Sequence, residues 1–464
     1  MPVNSFDSYP LTWKPEKKTL TPPYYKALAR DLEEKIKAGL LAPGLKLPPQ
    51  REIADYLDLN YTTITRAYEL CKQKGLIYGT TGKGTFVAPH AAEDVTLASE
   101  QPSEACIELG AINGFSEYSE LVEQATRSVV EKGYLRSLYE YSFPEGQRHQ
   151  LAAGARWLEQ LGVHTDPDHM AILSGAQNAL AVALISLFSP GDRIAVDEYT
   201  YPNFMQLAKL LHLVLIPIRE DENGMIPEEL RRQSHRLRGV YLIPTCANPT
   251  TITLPPGRRM ELAEIIREND LILIEDDIAT WMTALERPAL PSMFDLLHGE
   301  SIYVCGMTKS LCPGLRVAFM AFGEHWKAPL LHGLTNLNIK TSAFDAEIIT
   351  ELILSGKAYE LASKKQKSAL KNASLFQRYF PDIPSAPLPS YYKWLPIRLE
   401  KSAQEIEGEL EDRGVRVYHS SRFSVLQDRG QSFLRISLCS AGSGKRLERG
   451  LMILRDYIRE HEKR

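Results

Sequence analysis

Residues 302–316 read IYVCGMTKSLCPGLR. An apolar run of strand length closes at Gly306, Lys309 follows three residues on, and Arg316 stands seven beyond that. A strand that is apolar without alternation is buried on both faces, as in parallel sheets covered by helices. Six further runs share the texture: MAIL (170–173), RIAV (193–196), VLIPI (214–218), VYLI (240–243), LILIE (271–275) and RVAFMAF (316–322). Helical stretches separate most of them. This alternation predicts an α/β domain with a mainly parallel sheet. Beyond it, longer amphipathic helices and fewer strands predict a smaller C-terminal α+β subdomain.

In such sheets, ligands gather at the C-terminal ends of the strands. SGAQ (174–177) follows MAIL and opens a long apolar helix, where bare amides and the helix dipole suit a phosphate. NPT (248–250) ends the run VYLIPTCANPT, and the Asn248 amide can donate to a phenolate oxygen. EDD (275–277) ends LILIEDD. A carboxylate there can pair with a protonated pyridine nitrogen, Asp276 being the first choice and Asp277 the second. Lys309, buried among apolar neighbours, would be a nucleophilic amine ready to condense with an aldehyde, and Arg316 a planar fork for phosphate. Each signal alone is more often an ordinary turn or a surface lysine, and the acidic pair alone is indecisive between a ring partner, metal ligands and solvated loop residues. Their order along consecutive strand ends is what carries weight.

The first ninety residues have a different texture. Apolar positions Tyr25, Leu28, Ala29, Leu32 and Ile36 follow helical spacing, QREIADYL (50–57) is a short helix, DLN a turn, and TTITRAYELCKQK (62–74) a second helix. LIYGTTGKGTFVAP (76–89) reads as two short strands about a glycine turn. That order is a winged helix-turn-helix, whose second helix fits the major groove. Tyr61, Thr62, Thr63, Thr65 and Arg66 would face DNA from it, and Lys83 from the wing. Residues 21–88 carry ten Lys/Arg against seven Asp/Glu, while the whole chain is at −4, so a mildly basic segment precedes an acidic one.

Residues 24–88 resemble the DNA-binding domain of the GntR family through AGLLAPGLKLPPQREIADYL, NYTTITRAYELCKQKGLI and GKGTFV. The resemblance implies that Arg51, Thr62, Thr63, Arg66 and Gly84 contact operator DNA or shape that contact. Residues 105–464 resemble the fold-type I aminotransferases, which implies pyridoxal 5'-phosphate as cofactor. By position, Lys309 would hold it as an aldimine and Asp276 would pair with the ring nitrogen. Asn248 would reach the ring oxygen, Tyr201 would stack on the ring, and Ala176, Gln177 and Arg316 would bind the phosphate. Tyr141 matches a residue that reaches the partner subunit's phosphate, implying a homodimer, and Arg435 in FLRISL matches the clamp for a substrate carboxylate. The combination resembles the MocR-type subgroup of GntR regulators.

Two departures stand out. The aminotransferase family usually has a tyrosine two or three residues after the aspartate, where Ile278 and Ala279 stand here, and a serine three before the lysine, where Gly306 stands. Losing one hydroxyl contact costs about 1 kcal/mol, so cofactor binding should survive while turnover is more exposed. Trp281 is either a filler of the vacated space or a core residue.

The domain reading is therefore an extended arm (1–20), a winged helix-turn-helix (21–88), a linker (89–104) and an aminotransferase-like domain (105–464). Within the last, a large subdomain covers about 160–335 and a small one about 345–464. The functional expectation is a regulator of double-stranded operator DNA that senses an amine or amino acid by exchange of the Lys309 aldimine. An active or bifunctional aminotransferase is the alternative, and a binding module without cofactor a third reading. Six cysteines without paired spacing read as free thiols rather than as metal ligands, and no apolar run approaches the roughly 18 residues that cross a bilayer. The expected location is the cytoplasm, away from membranes.

Overall fold

A computed structural model describes residues 12–37, 40–42, 44–73, 76–80, 84–88, 106–115, 118–285, 289–384, 388–425 and 431–461. Lys83, the linker 89–104 and the first eleven residues of the expected arm lie outside them. The chain divides into two compact units, the first taking in residues 1–96 together with Ala208–Val214 and the second the rest.

The N-terminal unit contains α1 (Tyr24–Lys37), β1 (Lys46–Leu47), α2 (Gln50–Leu57), α3 (Tyr61–Gln73), β2 (Ile77–Thr80) and β3 (Gly84–Val87). The strands form an antiparallel sheet in the order β1-β3-β2. Leu28, Leu32 and Ile36 recur at i, i+4, i+8 on α1 and meet Ile53 and Leu57 of α2 and Ile64, Tyr68 and Cys71 of α3 in one core. The turn between α2 and α3 is set locally. Asp58 closes α2 in the left-handed region at φ 48°, and the Asn60 carboxamide accepts from both the amide and the hydroxyl of Thr62 at 2.9 Å. Trp13 and Leu20, in the stretch expected as an extended arm, enter this core instead. Trp13 is 1% exposed and donates from Nε1 to Asp31 at 2.8 Å, because a buried indole N–H needs an acceptor.

The second unit is built on seven strands: β4 (Met170–Leu173), β5 (Arg193–Asp197), β6 (Val214–Ile218), β7 (Gly239–Leu242), β8 (Ile272–Asp277), β9 (Ile302–Gly306) and β10 (Ala318–Phe322). Their order is β4-β10-β9-β8-β7-β5-β6. Pairs β5–β7, β7–β8 and β8–β9 are parallel, and β10 runs antiparallel to both its neighbours. All seven apolar runs therefore lie in one mostly parallel sheet.

Helices α4 (Arg148–Gln160), α5 (Ala176–Leu187), α6 (Met307–Ser310), α7 (Ala343–Leu354) and α8 (Lys357–Tyr379) belong to the same unit. Strands β11 (Tyr392–Ile397), β12 (Tyr418–His419) and β13 (Ser432–Ser437) make a second, antiparallel sheet in the order β11-β13-β12, against which α9 (Gly444–His461) contributes Leu451 and Leu454. Helix α8 runs through two cores, with Leu361 and Ala362 in one and Leu375 and Phe376 in the other. The strand Ile107–Glu108 pairs parallel with Val415–Arg416, so the start of the unit is stitched into its C-terminal core.

Candidate functional site

The site assembles at the C-terminal ends of β4, β8 and β9. Asp276 pairs in register with Val304 of the neighbouring strand, and β9 runs on through Gly306 into α6, which carries Lys309. The carboxylate and the amine thus come from adjacent strand tips.

The Lys309 side chain is half-buried, and enclosure of its amine lowers its pKa to about 8, against the opposing effect of Cys439 and with the help of Arg435 and Arg316. Its ammonium donates to the Ile112 carbonyl. The Lys309 backbone is gripped as well: Tyr391 Oη donates to its carbonyl at 2.6 Å, and buried Lys365 reaches the same oxygen at 3.3 Å.

Asp276 is fully enclosed, and burial pushes its carboxyl up to about 7 despite a hydrogen bond from Tyr241. Tyr241 Oη donates to Oδ2 at 2.8 Å, while Oδ1 has no partner among the described residues. Tyr201 lies within electrostatic reach of Asp276, Arg435 and Arg316, and burial raises its pKa to about 12.

The start of α5 has the geometry of an anion cradle. Its amides at Ala176, Gln177 and Asn178 precede the first intrahelical bond, from Ala179 N to Gly175 O, and so stand free of the helix ladder. Gly175 has φ 88° and ψ 164°, and a Cβ built there would lie 2.7 Å from Nη2 of Arg316. Only glycine fits that backbone and that close approach. At Gly306, where the serine is missing, a Cβ would sit 3.1 Å from the Ala176 methyl, a tight contact that a shift of a few tenths of an ångström relieves. Gln177 uses its side-chain amide on the Asn203 carbonyl, leaving its backbone for an anion.

Arg435 is 0% exposed. Nη1 donates to Asn248 Oδ1 at 2.8 Å and Nη2 to Gly110 O at 2.7 Å, and Nε has no partner among the described residues. Tyr392, Tyr418 and Phe423 surround the guanidinium with ring centroids 4.6–5.8 Å away. Burial lowers its pKa to about 10.

Four features of this site fit pyridoxal phosphate: an enclosed amine, an anion cradle that a Cβ would fill, an unpartnered carboxylate oxygen, and an amide on Asn248 left free once its oxygen accepts from Arg435. Tyr141 is not among the groups that meet here. It is 86% exposed, with Tyr139 and Phe143 each at 71%. Trp281 is a core residue, 3% exposed and 5.6 Å from the Tyr391 ring, with its Nε1 on the Ile278 carbonyl.

On the N-terminal unit, Arg51, Tyr61, Thr62 and Arg66 are exposed, with Thr62 and Arg66 one turn apart on α3. Thr63 is half-buried, and Thr65 is turned inward to Gln50 Oε1 at 2.9 Å, so it ties α3 to α2. Gly84 is exposed at φ 118°, where a Cβ would meet Lys46 Cε at 2.8 Å.

Two family models match the chain: "Bacterial regulatory proteins, gntR family" over residues 24–87, and "Aminotransferase class I and II" over 113–454. The HTH-type transcriptional regulator YdeF of Bacillus subtilis is 36% identical over 462 residues, 99% of each chain. The chain belongs to the MocR-type GntR regulators. TauR of Rhodobacter capsulatus, also an HTH-type transcriptional regulator, is 26% identical over 63% of this chain and 66% of its own. The MocR-type fold is matched in solved structures by LysN, an alpha-aminoadipate aminotransferase of Thermus thermophilus complexed with N-(5'-phosphopyridoxyl)-L-leucine. The TM-score is 0.69 at 21% identity, over 77% of this chain and 93% of that one. An archaeal alanine:glyoxylate aminotransferase gives the same TM-score at 18% identity, over 87% and 100%. The cofactor that goes with this family, and that these residues fit, is pyridoxal phosphate.

Sequence reasoning did not find Tyr241, Tyr391 or Lys365. Tyr241 carried a signal, a hydroxyl inside the otherwise apolar run VYLI, one strand away from the carboxylate.

Proposed function

We propose that this transcriptional regulator senses an amine or amino acid at Lys309 and couples its binding to operator affinity. One observation carries the reading. Arg435 is a fully buried cation with no carboxylate in salt-bridge range among the described residues, and a buried charge is tolerable only when its partner arrives. The carboxylate of an amino acid, placed beside Asn248, would supply that partner.

When bound, pyridoxal phosphate supplies an aldehyde that condenses with amines and a ring that withdraws electrons. In this reading Asp276 offers Oδ1 to the ring nitrogen, and the Asn248 amide donates to the ring oxygen. The first amides of α5 and the Arg316 fork hold the phosphate, while Tyr201 covers the ring. Lys309, neutral above pH about 8, holds or yields its place to an incoming amine. A ligand shifts operator affinity only if it binds one arrangement of the protein better than another, so exchange at Lys309 must change a preference between states.

Arg51, Thr62, Thr63, Arg66, Lys83 and Gly84 would meet DNA. The chain would act as a homodimer, since Tyr139, Tyr141 and Phe143 present an aromatic patch of the kind that a second copy covers. Its place would be the cytoplasm, where operator DNA is read.

An absorbance spectrum of the purified protein tests the site, through a near-visible band that Lys309→Ala abolishes. Titration with amino acids and amines then tests the coupling. Ligands that move the band should change operator affinity in parallel; unchanged affinity under every such ligand sinks the sensing reading. Steady release of a keto acid would favour the second reading, an active aminotransferase, which the retained Lys309, Asp276, Asn248 and Arg435 keep open.

A further inference from the structure

We propose that Tyr241 is a positioning residue for the cofactor: it holds one oxygen of Asp276 so that the other stays ionised and aimed at the ring nitrogen. The proposal concerns cofactor binding alone and stands whether the chain senses or turns over its ligand.

The geometry is specific. Tyr241 lies on β7 in register with Ile274 of the adjacent β8, and Asp276 follows two residues later on the same face of that strand. The phenol is 0% exposed and donates to Oδ2 at 2.8 Å. Its ring is stacked on Phe204, itself 0% exposed, with centroids 3.6 Å apart and planes 8° from parallel. Phe204 thus fixes the ring, and the ring fixes the hydroxyl. The carboxylate is left with Oδ1, which is buried and has no partner among the described residues. A carboxylate with one oxygen occupied and one unpartnered has a defined direction in which to meet a cation.

Burial pushes Asp276 toward the neutral acid, and the phenol opposes that by donating to the charged form. Burial also raises Tyr241 well above the ordinary phenol range, so it acts only as a donor. Other groups facing the carboxylate cannot replace it. Asp277, on the same strand, repels the charge. Tyr201, Tyr392 and Cys305 stand within electrostatic reach, yet none donates to either oxygen. The tyrosine that this family usually carries after the aspartate is absent. Tyr241 does not stand in for it, because its hydroxyl goes to the carboxylate and not toward a ring oxygen.

The test uses pyridoxamine 5'-phosphate, which forms no bond with Lys309 and so isolates the ring contact. Its dissociation constant is measured by calorimetry between pH 5.5 and 8.5 on the full-length protein freed of cofactor. Removing a donor to the carboxylate raises the pH at which Asp276 ionises. Tyr241→Phe should therefore weaken binding about tenfold on the acid limb, for a shift of about one pH unit, with the loss shrinking as pH rises. Asp276→Asn should remove the acid limb, and adding Tyr241→Phe to it should cost nothing further. Phe204→Leu, which keeps the phenol but removes the ring beneath it, should move the limb the same way by less, and serves if Tyr241→Phe does not fold. A loss of equal size at every pH, an unmoved limb, or a full additional loss when Tyr241→Phe is combined with Asp276→Asn would each overturn the proposal.

Discussion

A lysine amine is useful as a nucleophile only when it is neutral, and at Lys309 that state is reached by enclosure. The ordinary value near 10.5 falls to about 8, with two arginines adding to the effect of burial. The sign for stability follows. Between about pH 8 and 10.5 the unfolded chain binds the proton that the folded chain has released, so the cofactor-free protein gains stability as pH rises through that window. Chemical trapping reads the same group directly. Borohydride reduction after a short pulse of pyridoxal phosphate should label Lys309 with a rate that climbs to a midpoint near pH 8. A midpoint near the ordinary lysine value would mean that the amine is solvated and the site is open. This residue was legible in the sequence only through its place in the order of SGAQ, NPT and EDD along consecutive strand ends, since a lysine there alone reads as a surface one. The Gly306 departure was visible too, but its close packing was not, since the nearest neighbour, the Ala176 methyl, is 130 positions away in the chain.

At the scale of elements, α7 is held by one buried carboxylate. Glu347 is 0% exposed and accepts from Tyr134 Oη at 2.6 Å and Gln150 Nε2 at 2.9 Å, with His149 Nε2 at 2.6 Å and Lys132 Nζ at 3.2 Å. Burial alone would raise its pKa, and the three hydrogen bonds from Tyr134, Gln150 and His149 outweigh it, leaving the group below the usual glutamate range. This network joins α7 to α4 and to the segment that leads into Tyr141. Glu347→Ala leaves Tyr134 without its acceptor, and Lys132 and Gln150 with only Glu351 and the Ala343 carbonyl, and should cost about 3 kcal/mol in urea unfolding at neutral pH. Because the folded pKa is depressed, the stabilisation is present above the unfolded value and is lost as pH falls through the folded one. The gap between wild type and variant should therefore narrow below pH 4.5. A difference under about 1 kcal/mol would show the network to be incidental. None of this was readable beforehand, since a lone glutamate in an amphipathic helix looks like a solvated one. The seven sheet strands were readable because double burial erases alternation. The reversed direction of β10 was not, because an apolar run carries no sign of which way it points. The pairing of Ile107–Glu108 with Val415–Arg416 also escaped, two residues being too few for any period.

At the scale of the whole chain, the two units have separate hydrophobic cores: Trp13, Leu28, Ile53 and Tyr68 in one, and the groups around β4–β10 and α9 in the other. Every residue that fits the cofactor belongs to the second. A ligand that binds only the folded state of one unit stabilises that unit by mass action, by about 2.7 kcal/mol at a hundredfold excess over its dissociation constant. Calorimetry of the intact protein should accordingly show a transition that rises with pyridoxal phosphate concentration and a second that operator DNA raises instead. Lys309→Ala should blunt the first response and leave the second alone. For a cooperative unit of this size, a gain of that order moves the midpoint by a few degrees, which is readily measured. If pyridoxal phosphate raises both transitions equally while the two remain resolved, the units are energetically coupled even without an amine ligand, and the sensing step must act by loosening that coupling rather than by creating it.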